Sequence, residues 1–426
     1  RLPSGRIYKG RSVMNIEIIP QTLVGSVNAV ASKSHAHRLL IAAALSKRPA
    51  EVSIRTTSQD IEATRACLKQ LKAGIPVLDC GESGSTLRFL LPVIMALKEE
   101  AIFLGSGRLP QRPISPLKEE MEAHGCSFSN KHRTKGTAQE ICHIKGRLQG
   151  GLFTLPGNVS SQYITGLLFA LPLLEKDSWI QITSPLESRS YVDLTLDVLK
   201  NFQIDIYTEE KEGLLTFKIK GRQQYLPPKT LEAEGDWSNM AFWVAAGVLS
   251  KESGIIGRGV NLKSIQGDRA ILSLTRRMGG EIQEKGDSFL ALARPLHGIH
   301  IDASAIPDLV PILSVMAAAA KGTTCIHHAE RLRIKESDRL AAMYDCLSRV
   351  GVDLAEQPGG LTIRGGSPIK GGRVSGYNDH RIVMAMAIAS VVSEGPIIIE
   401  GAEAVNKSYP GFWDDFKYLG GEYREL

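Results

Sequence analysis

One phrase returns six times along this chain: an amphipathic helical stretch runs out, a small residue breaks it, and a short alternating strand follows. It is read at Leu71-Lys72-Ala73-Gly74-Ile75, Ala123-His124-Gly125-Cys126-Ser127-Phe128, Asn201-Phe202-Gln203-Ile204-Asp205-Ile206, Met278-Gly279-Gly280-Glu281-Ile282, Val350-Gly351-Val352-Asp353-Leu354 and Leu419-Gly420-Gly421-Glu422-Tyr423. Glycine just past a helix accepts the left-handed conformation that ends it. Markers at 74, 125, 203, 280, 351 and 421 lie 51, 78, 77, 71 and 70 residues apart. Six units of roughly 70 residues nearly exhaust the chain, as a duplicated α/β architecture would. The first interval is short by roughly 20 residues, so either a strand pair after Leu71 is missing or the first marker is misplaced.

Between the markers lie stretches rich in small and apolar residues: Leu39–Ser46, Thr86–Ala96, Ser160–Leu174, Trp237–Leu249, Leu309–Ala320 and Ile382–Val392. A half-exposed helix would carry a polar stripe; these carry apolar residues on nearly every face, which predicts buried helices surrounded by strands. No low-complexity linker separates the units. Pro227-Pro228 and the turn before Asp236 are the best candidates for a domain boundary.

Composition narrows the class. The 426 residues are 43% hydrophobic, enough for two or three domains with real cores, and the net charge of +6 does not demand a nucleic-acid partner. Six cysteines, at 67, 80, 126, 142, 325 and 346, form no C-x-x-C pair, and nothing resembles a secretory signal, so a reducing cytoplasm is expected. The most apolar stretch, Val310–Ala320, is shorter than the roughly 20 residues of a membrane helix. Residues 1–13 read as an extension preceding the strand-like Asn15–Ile19.

The cations are spread singly among Gly, Ser and other small residues, not in runs: Ser32-Lys33-Ser34 with Arg38, Gly81-Glu82-Ser83-Gly84-Ser85-Thr86-Leu87-Arg88, Arg112-Pro113, Lys335-Glu336-Ser337-Asp338-Arg339, Asn378-Asp379-His380-Arg381 and Asn406-Lys407. Guanidinium and ammonium groups grip phosphates and carboxylates, while Gly and Ser admit backbone N–H groups and hydroxyls to the same oxygens. Ser34 and Arg38 fall on one helix face if a helix starts there. Gly81–Arg88 resembles a phosphate-cradling turn, although it lacks the Lys of a P-loop. Asn158-Val159-Ser160-Ser161-Gln162 offers more polar side chains than one helix cap uses. Asp308, in Ile306-Pro307-Asp308-Leu309, could simply cap the apolar helix that follows it. The charged tetrad Asn378–Arg381 leads into a helix too apolar for the surface, so a merely solvated role suits it poorly. His35 and His37 have metal-like proximity but no Cys or carboxylate cluster beside them.

In this order, Ser-Lys-Ser-x-x-x-Arg, Gly-x-x-Gly-x-x-x-Arg, Arg-Pro-Ile, Ser-Ser-Gln, Glu-Gly-Asp, Ile-Pro-Asp, Lys-Glu-Ser-Asp-Arg, Asn-Asp-His-Arg and Lys-Ser-Tyr-Pro closely resemble the 5-enolpyruvylshikimate-3-phosphate synthase family across residues 15–420. The resemblance implies an α/β fold, a two-domain inside-out α/β barrel with buried helices and outer sheets, each domain three βαβαββ repeats. Residues 1–30 plus 235–426 would form one domain and 31–234 the other, with the active site in the cleft between them. It implies transfer of the enolpyruvyl group of phosphoenolpyruvate to the 5-hydroxyl of shikimate 3-phosphate, without metal or organic cofactor, by a cytoplasmic monomer of the shikimate pathway that is a glyphosate target. Phosphoenolpyruvate should meet Lys33, Gly84, Arg112, Gln162, Arg339, Arg381 and Lys407. Shikimate 3-phosphate should meet Ser34, Arg38, Ser160, Ser161, Gln162, Ser188, Tyr191, Asp308 and Lys335. Asp308 is the candidate base for the hydroxyl; Lys33 and Glu336 are candidates for proton delivery and return at carbon.

Two positions depart from the family pattern. Glu82 stands where some members have Asn, so it should point away from the anion or pair with an Arg; Arg331 replaces an Asn and could still serve the shikimate phosphate. The alternatives are the sister UDP-N-acetylglucosamine enolpyruvyl transferase, which has a Cys where this chain has Arg108, and an RNA-terminal phosphate cyclase-like protein, which would need an adenylated His and a basic tract. A non-catalytic anion binder would give no reason for Asp308 and Glu336 among so many cations.

Overall fold

The computed structural model describes residues 13–251 and 254–426, so the reading of an N-terminal extension lies, up to residue 12, outside the described residues. The fold is mixed α/β. Its construction is plainest between Leu152 and Ile219. Strand Leu152–Leu155 leads through helix Ser161–Ala170 to a parallel neighbour, Ser178–Ile182, and helix Arg189–Asn201 then returns the chain to the hairpin Ile206–Lys211/Leu214–Ile219. Glu212 and Gly213 both take positive φ in the two-residue turn, matching the twist of the strands they join. The last strand pairs back antiparallel onto Ser178–Ile182, giving the sheet order third, fourth, second, first.

Three other sheets share this order, one of them with a small fifth strand attached; the remaining sheet, Gly372–Ser375, Ile397–Glu400, Asn15–Ile19 and Glu422–Glu425 across its width, departs from it because the chain's first strand fills an inner position. In two sheets, the N-terminal segment supplies a strand. Asn15–Ile19 inserts antiparallel between Ile397–Glu400 and Glu422–Glu425, while Gly25–Asn28 lies parallel to Ile255–Arg258. Residues 31–76 differ. Helices Lys33–Leu45 and Gln59–Lys69 are followed by a 3₁₀ turn, Gln70–Lys72, and then directly by strand Val77–Asp79 of the next sheet. Among the described residues no strand pair follows Leu71; the stretch contributes only isolated bridges, Ala31 to Gly235 and Ser53 to Glu232. The sequence markers also shift slightly. Gly74 is not left-handed, and the residues that are left-handed at two later breaks are Gly279 and Gly420, one before the markers chosen.

The apolar helices are buried as their composition requires: every residue of Trp237–Leu249 and of His380–Ala389 is buried. Their ends move for local reasons. The first begins at Lys33 and not Leu39, because the Ser32 hydroxyl accepts from His35 N–H and caps it. The third ends at Ala170, where Pro172 turns the chain into a 3₁₀ segment.

Buried apolar residues form two large clusters, one from Ile16–Val30 and Trp237–Leu419, the other from Ala31–Ala233. The chain passes between them at two adjacent places, where Ser32 N–H donates to Glu234 O at 2.7 Å and Asp236 N–H to Val30 O at 2.9 Å. The return passage is thus the turn before Asp236, several residues past Pro227-Pro228.

Candidate active site

Where the two clusters face each other, the first turns of seven long helices and of two 3₁₀ segments meet at a single cleft. The helices reach it through Lys33 and Ser34, Ser85, Ser161 and Gln162, Tyr191, Ser238 and Asn239, Arg339, and His380 and Arg381, the 3₁₀ segments through Asp308 and Arg331, and Arg88 joins them one turn farther along the helix of Ser85. Helix N-termini present free N–H groups and partial positive charge, so this convergence alone favours anions. The side chains add to it. Eight Lys or Arg residues line the cleft against three carboxylates, those of Asp236, Asp308 and Glu336.

On the 31–234 wall, Arg38 is buried and folds back onto its own helix, donating to Ser34 O at 2.6 Å, Tyr191 O at 2.9 Å and Thr195 Oγ1 at 2.8 Å. Arg88 donates to Gln162 Oε1 at 2.8 Å and Pro113 O at 3.0 Å. These acceptors are neutral. Burial consequently pulls Arg38 down to about 9 and Arg88 to about 10, the condition of cations suited to an incoming anion. Gln162 also donates to Ser85 Oγ at 3.0 Å, and Ser160 caps the helix carrying Ser161 and Gln162. Lys33 reaches Asp60 at 2.9 Å; burial opposes its charge, but Asp60 and Glu336 outweigh that and raise its pKa.

The opposite wall is organised around Arg339. Its guanidinium contacts Asp308 Oδ1, Glu336 Oε2 and Asp379 Oδ2, each at 2.8 Å. Asp308 also faces Arg381 at 3.2 Å and Lys335 at 3.5 Å, and accepts from Tyr191 OH across the cleft at 3.2 Å. Asp308 therefore does not act as a simple helix cap. Burial would raise its pKa, yet Arg381, Lys335 and Arg339 hold it well below the usual carboxylate range; Glu336 is likewise depressed against burial, chiefly by Arg339 and also by Arg112 and Lys33. Burial keeps His380 neutral, well below its ordinary pKa. The Nε donors of Arg88, Arg112 and Arg381 and both ring nitrogens of His380 are buried without a hydrogen-bond partner among the described residues.

Of the residues singled out from sequence, the structure brings Lys33, Ser34, Arg38, Arg112, Ser160, Ser161, Gln162, Ser188, Tyr191, Asp308, Lys335, Glu336, Arg339 and Arg381 together on this cleft. Gly84 and Lys407 stand behind that lining. A Cβ on Gly84 would lie 2.7 Å from Arg112 Nη1, so the glycine backs the guanidinium groups. Lys407 Nζ pairs with Glu82 Oε2 at 2.7 Å, with Asn378 donating to the same oxygen at 2.8 Å. Glu82 thus takes a Lys and an Asn from the other cluster where an Arg partner was one expectation. Arg331 donates to Ser188 Oγ at 2.6 Å and meets Glu187 at 2.5 Å. The unassigned lining residues include Arg88, Asp236 and His380, each already inside a quoted motif; Asp60 had no sequence signal linking it to Lys33. His35 and His37 are taken up by hydrogen bonds to Glu234 N–H at 3.2 Å and Thr64 Oγ1 at 2.7 Å.

Comparison with known proteins follows the same outline. The family model described as EPSP synthase (3-phosphoshikimate 1-carboxyvinyltransferase) matches residues 18–76 and 72–416. The chain belongs to the EPSP synthase family. A Clostridium acetobutylicum relative named 3-phosphoshikimate 1-carboxyvinyltransferase is 43% identical, covering 96% of this chain and 98% of its own; the Clostridioides difficile protein of that name is 38% identical with the same coverage. The fold resembles the solved EPSP synthase of Acinetobacter baumannii, with a TM-score of 0.76 and 23% identity over 96% of this chain and all of that one. It also resembles the enolpyruvyl transferase NikO of Streptomyces tendae, with a TM-score of 0.75 and 17% identity over 98% and 99% of the two chains. Family membership gives the cation-rich cleft a specific reading.

Proposed function

We propose that this chain transfers the enolpyruvyl group of phosphoenolpyruvate to the 5-hydroxyl of shikimate 3-phosphate, releasing phosphate and 5-enolpyruvylshikimate 3-phosphate in aromatic amino acid biosynthesis. The observation that carries the reading is the cleft itself: eight cations from two walls gathered around the depressed carboxylates Asp308 and Glu336. Two phosphates and two carboxylates sharing one pocket would repel severely without such a set. We assign Lys33, Gly84, Arg112, Gln162, Arg339, Arg381 and Lys407 to phosphoenolpyruvate. Shikimate 3-phosphate takes Ser34, Arg38, Ser160, Ser161, Gln162, Ser188, Tyr191, Asp308 and Lys335, with Arg331 supporting Ser188.

In this mechanism the substrate oxygen bonds to C2 of phosphoenolpyruvate as the methylene carbon C3 gains a proton; C3 then loses a proton as the C2–O bond to phosphate breaks. Asp308 accepts the hydroxyl proton. Its low proton affinity rises once substrate anions take part of the charge of Arg339, Arg381 and Lys335. Lys33, charged and seated beside Asp60, delivers the proton to C3; Glu336 takes one back. No metal or cofactor enters the scheme.

Residues 1–30 plus 235–426 and residues 31–234 are read as two domains of an inside-out barrel, each composed of three βαβαββ repeats, the first of them stripped of its strand pair. Closure between them would exclude water. The six cysteines, none disulfide-bonded, suit a cytoplasmic setting, and a monomer suffices because both walls come from one chain. The test is phosphate release with both substrates and with each omitted in turn; release that does not require shikimate 3-phosphate would overturn the assignment.

A further inference from the structure

Asp302, His327 and His328 form the one group of His, Cys, Asp and Glu side chains with metal-holding proximity among the described residues, and it lies outside the cleft. Asp302 ends strand His300–Asp302 and His327 ends strand Gly322–His327; the strands are parallel neighbours and these two residues are paired in register. His328 follows in a left-handed conformation at φ 57°. Its Nδ1 lies 3.2 Å from His327 Nδ1 and 3.1 Å from Asp302 Oδ2.

These contacts ask one hydrogen to do too much. Ionised Asp302 only accepts, so the His328 Nδ1 proton belongs to it, and that nitrogen then has no lone pair left for His327. If His327 instead accepts, the same proton must be shared between two acceptors. A cation in place of that proton, which moves to Nε2 of the same ring by way of water, satisfies all three atoms at once, since neutral imidazole nitrogens and a carboxylate oxygen are the ligands of late first-row divalent ions. With metal–ligand bonds of roughly 2.0–2.1 Å, atoms 3.1 and 3.2 Å apart subtend about 100° at a common ion, between the octahedral and tetrahedral angles.

The carboxylate is also held from behind, as metal ligands usually are: Asp302 Oδ1 accepts from Ser304 N–H at 2.9 Å, and Ala303 N–H donates to His327 O at 2.9 Å. The side chains of His328 and Asp302 are 60% and 52% exposed, so an ion can enter freely and keep water in its remaining positions. We propose that Asp302, His327 and His328 form a surface site for a late first-row divalent ion such as Zn²⁺, separate from the catalytic cleft.

Three variants keep the fold. Asn tolerates the left-handed backbone at 328, Gln replaces His327 on its strand, and Asp302→Asn retains Oδ1 for Ser304. Full-length protein should be titrated with Zn²⁺ in competition with a chromophoric chelator, with melting curves recorded in parallel. The expected result is one ion bound by the wild type in the micromolar range, weakened at least tenfold in His328→Asn, His327→Gln and Asp302→Asn, with unchanged melting curves before zinc is added. The proposal is overturned by the absence of binding up to 100-fold excess zinc, or by variants that bind with wild-type stoichiometry and affinity.

Discussion

Adding one methyl group at Gly84 tests how the anion pocket is built. Gly84 opens the buried helix Gly84–Leu97 and is not left-handed, so alanine meets no backbone objection there. Its Cβ would lie 2.7 Å from Arg112 Nη1, 3.0 Å from Arg112 Cζ and 3.0 Å from Arg88 Nη1. Ordinary non-bonded contact begins near about 3.5 Å, so the Arg112 tip must retreat by somewhat under ~1 Å. A guanidinium at the end of a flexible side chain can do this without disturbing a core, and stability should change little. Binding should suffer, because a hydrogen bond from a displaced cation to an anion is worth about 1–3 kcal/mol. Phosphoenolpyruvate should thus bind about 5- to 150-fold more weakly. Shikimate 3-phosphate, assigned to Ser34, Arg38 and Ser188, should bind nearly as before, and glyphosate, a longer anion expected in the same pocket, should lose more than phosphoenolpyruvate does. Calorimetric titration of each ligand into wild type and Gly84→Ala, with a melting curve for both, decides the matter. Equal weakening of shikimate 3-phosphate would refute the reasoning and make Gly84 a structural hinge.

Other perturbations probe the rest of the site. Lys33→Met and Asp308→Ala should each lower turnover by about 10²-fold or more with the fold intact, in line with a lost acid or base; normal turnover in steady-state assays would remove that residue from the mechanism. Lys407→Met should weaken phosphoenolpyruvate at least tenfold by calorimetry, and unchanged affinity would leave Lys407 only its tie to Glu82. Exhaustive chelation should leave phosphate release unchanged, and loss restored by a divalent ion would contradict the proposed scheme. Asp379 should matter to acid stability: burial would raise its pKa, but Arg339 holds it down to about 2. A depressed carboxylate stabilises the fold above its unfolded pKa near about 3.9 and loses that contribution as pH falls toward about 2. Asp379→Asn should cost about 2–3 kcal/mol at neutral pH, the linkage value of that shift, Arg339 keeping Asp308 and Glu336 as partners, and flatten the acid limb between about pH 4 and 2; an unaltered limb in acid melts would show the pair to be neutral.

The chain's rhythm was legible because a helix end that runs directly into a strand uses the same few residue types wherever it occurs, and the buried helices because no polar stripe marks them. Helix starts were harder: the Lys33–Leu45 helix begins with Lys33 and Ser34, which face the cleft, and His35, which accepts from Glu234 N–H, and these polar residues conceal the apolar period. The cleft-lining residues within motifs were readable one wall at a time. What sequence could not give was who partners whom. Asp60 meets Lys33, Tyr191 meets Asp308 and Glu82 meets Lys407 only after distant segments are brought together. The Asp302–His327–His328 group was invisible for the same reason, since two adjacent histidines acquire their carboxylate through a strand pairing 25 residues long in sequence.

The two walls use different chemistry at equivalent places. On the 31–234 wall the helices are capped by the hydroxyls of Ser32, Ser83 and Ser160, neutral groups that bring no charge of their own to the positive ends. On the other wall Asp236 and Asp379 cap two helices, Asp308 sits in the first turn of a third, and Asp236 also accepts from Lys33 N–H at 3.0 Å. The serine-capped wall thus offers an anion cations with no carboxylate partner, since Arg38 and Arg88 rest on neutral acceptors. The opposite wall is already balanced, with Asp308 and Glu336 answering Arg339. Anions must compete with those carboxylates for the cations, and each one that succeeds returns proton affinity to Asp308. Under the proposed mechanism Asp308 would become effective as a base only when ligand oxygens reach both walls, so the charge pattern would couple full occupancy of the cleft to the start of the chemistry.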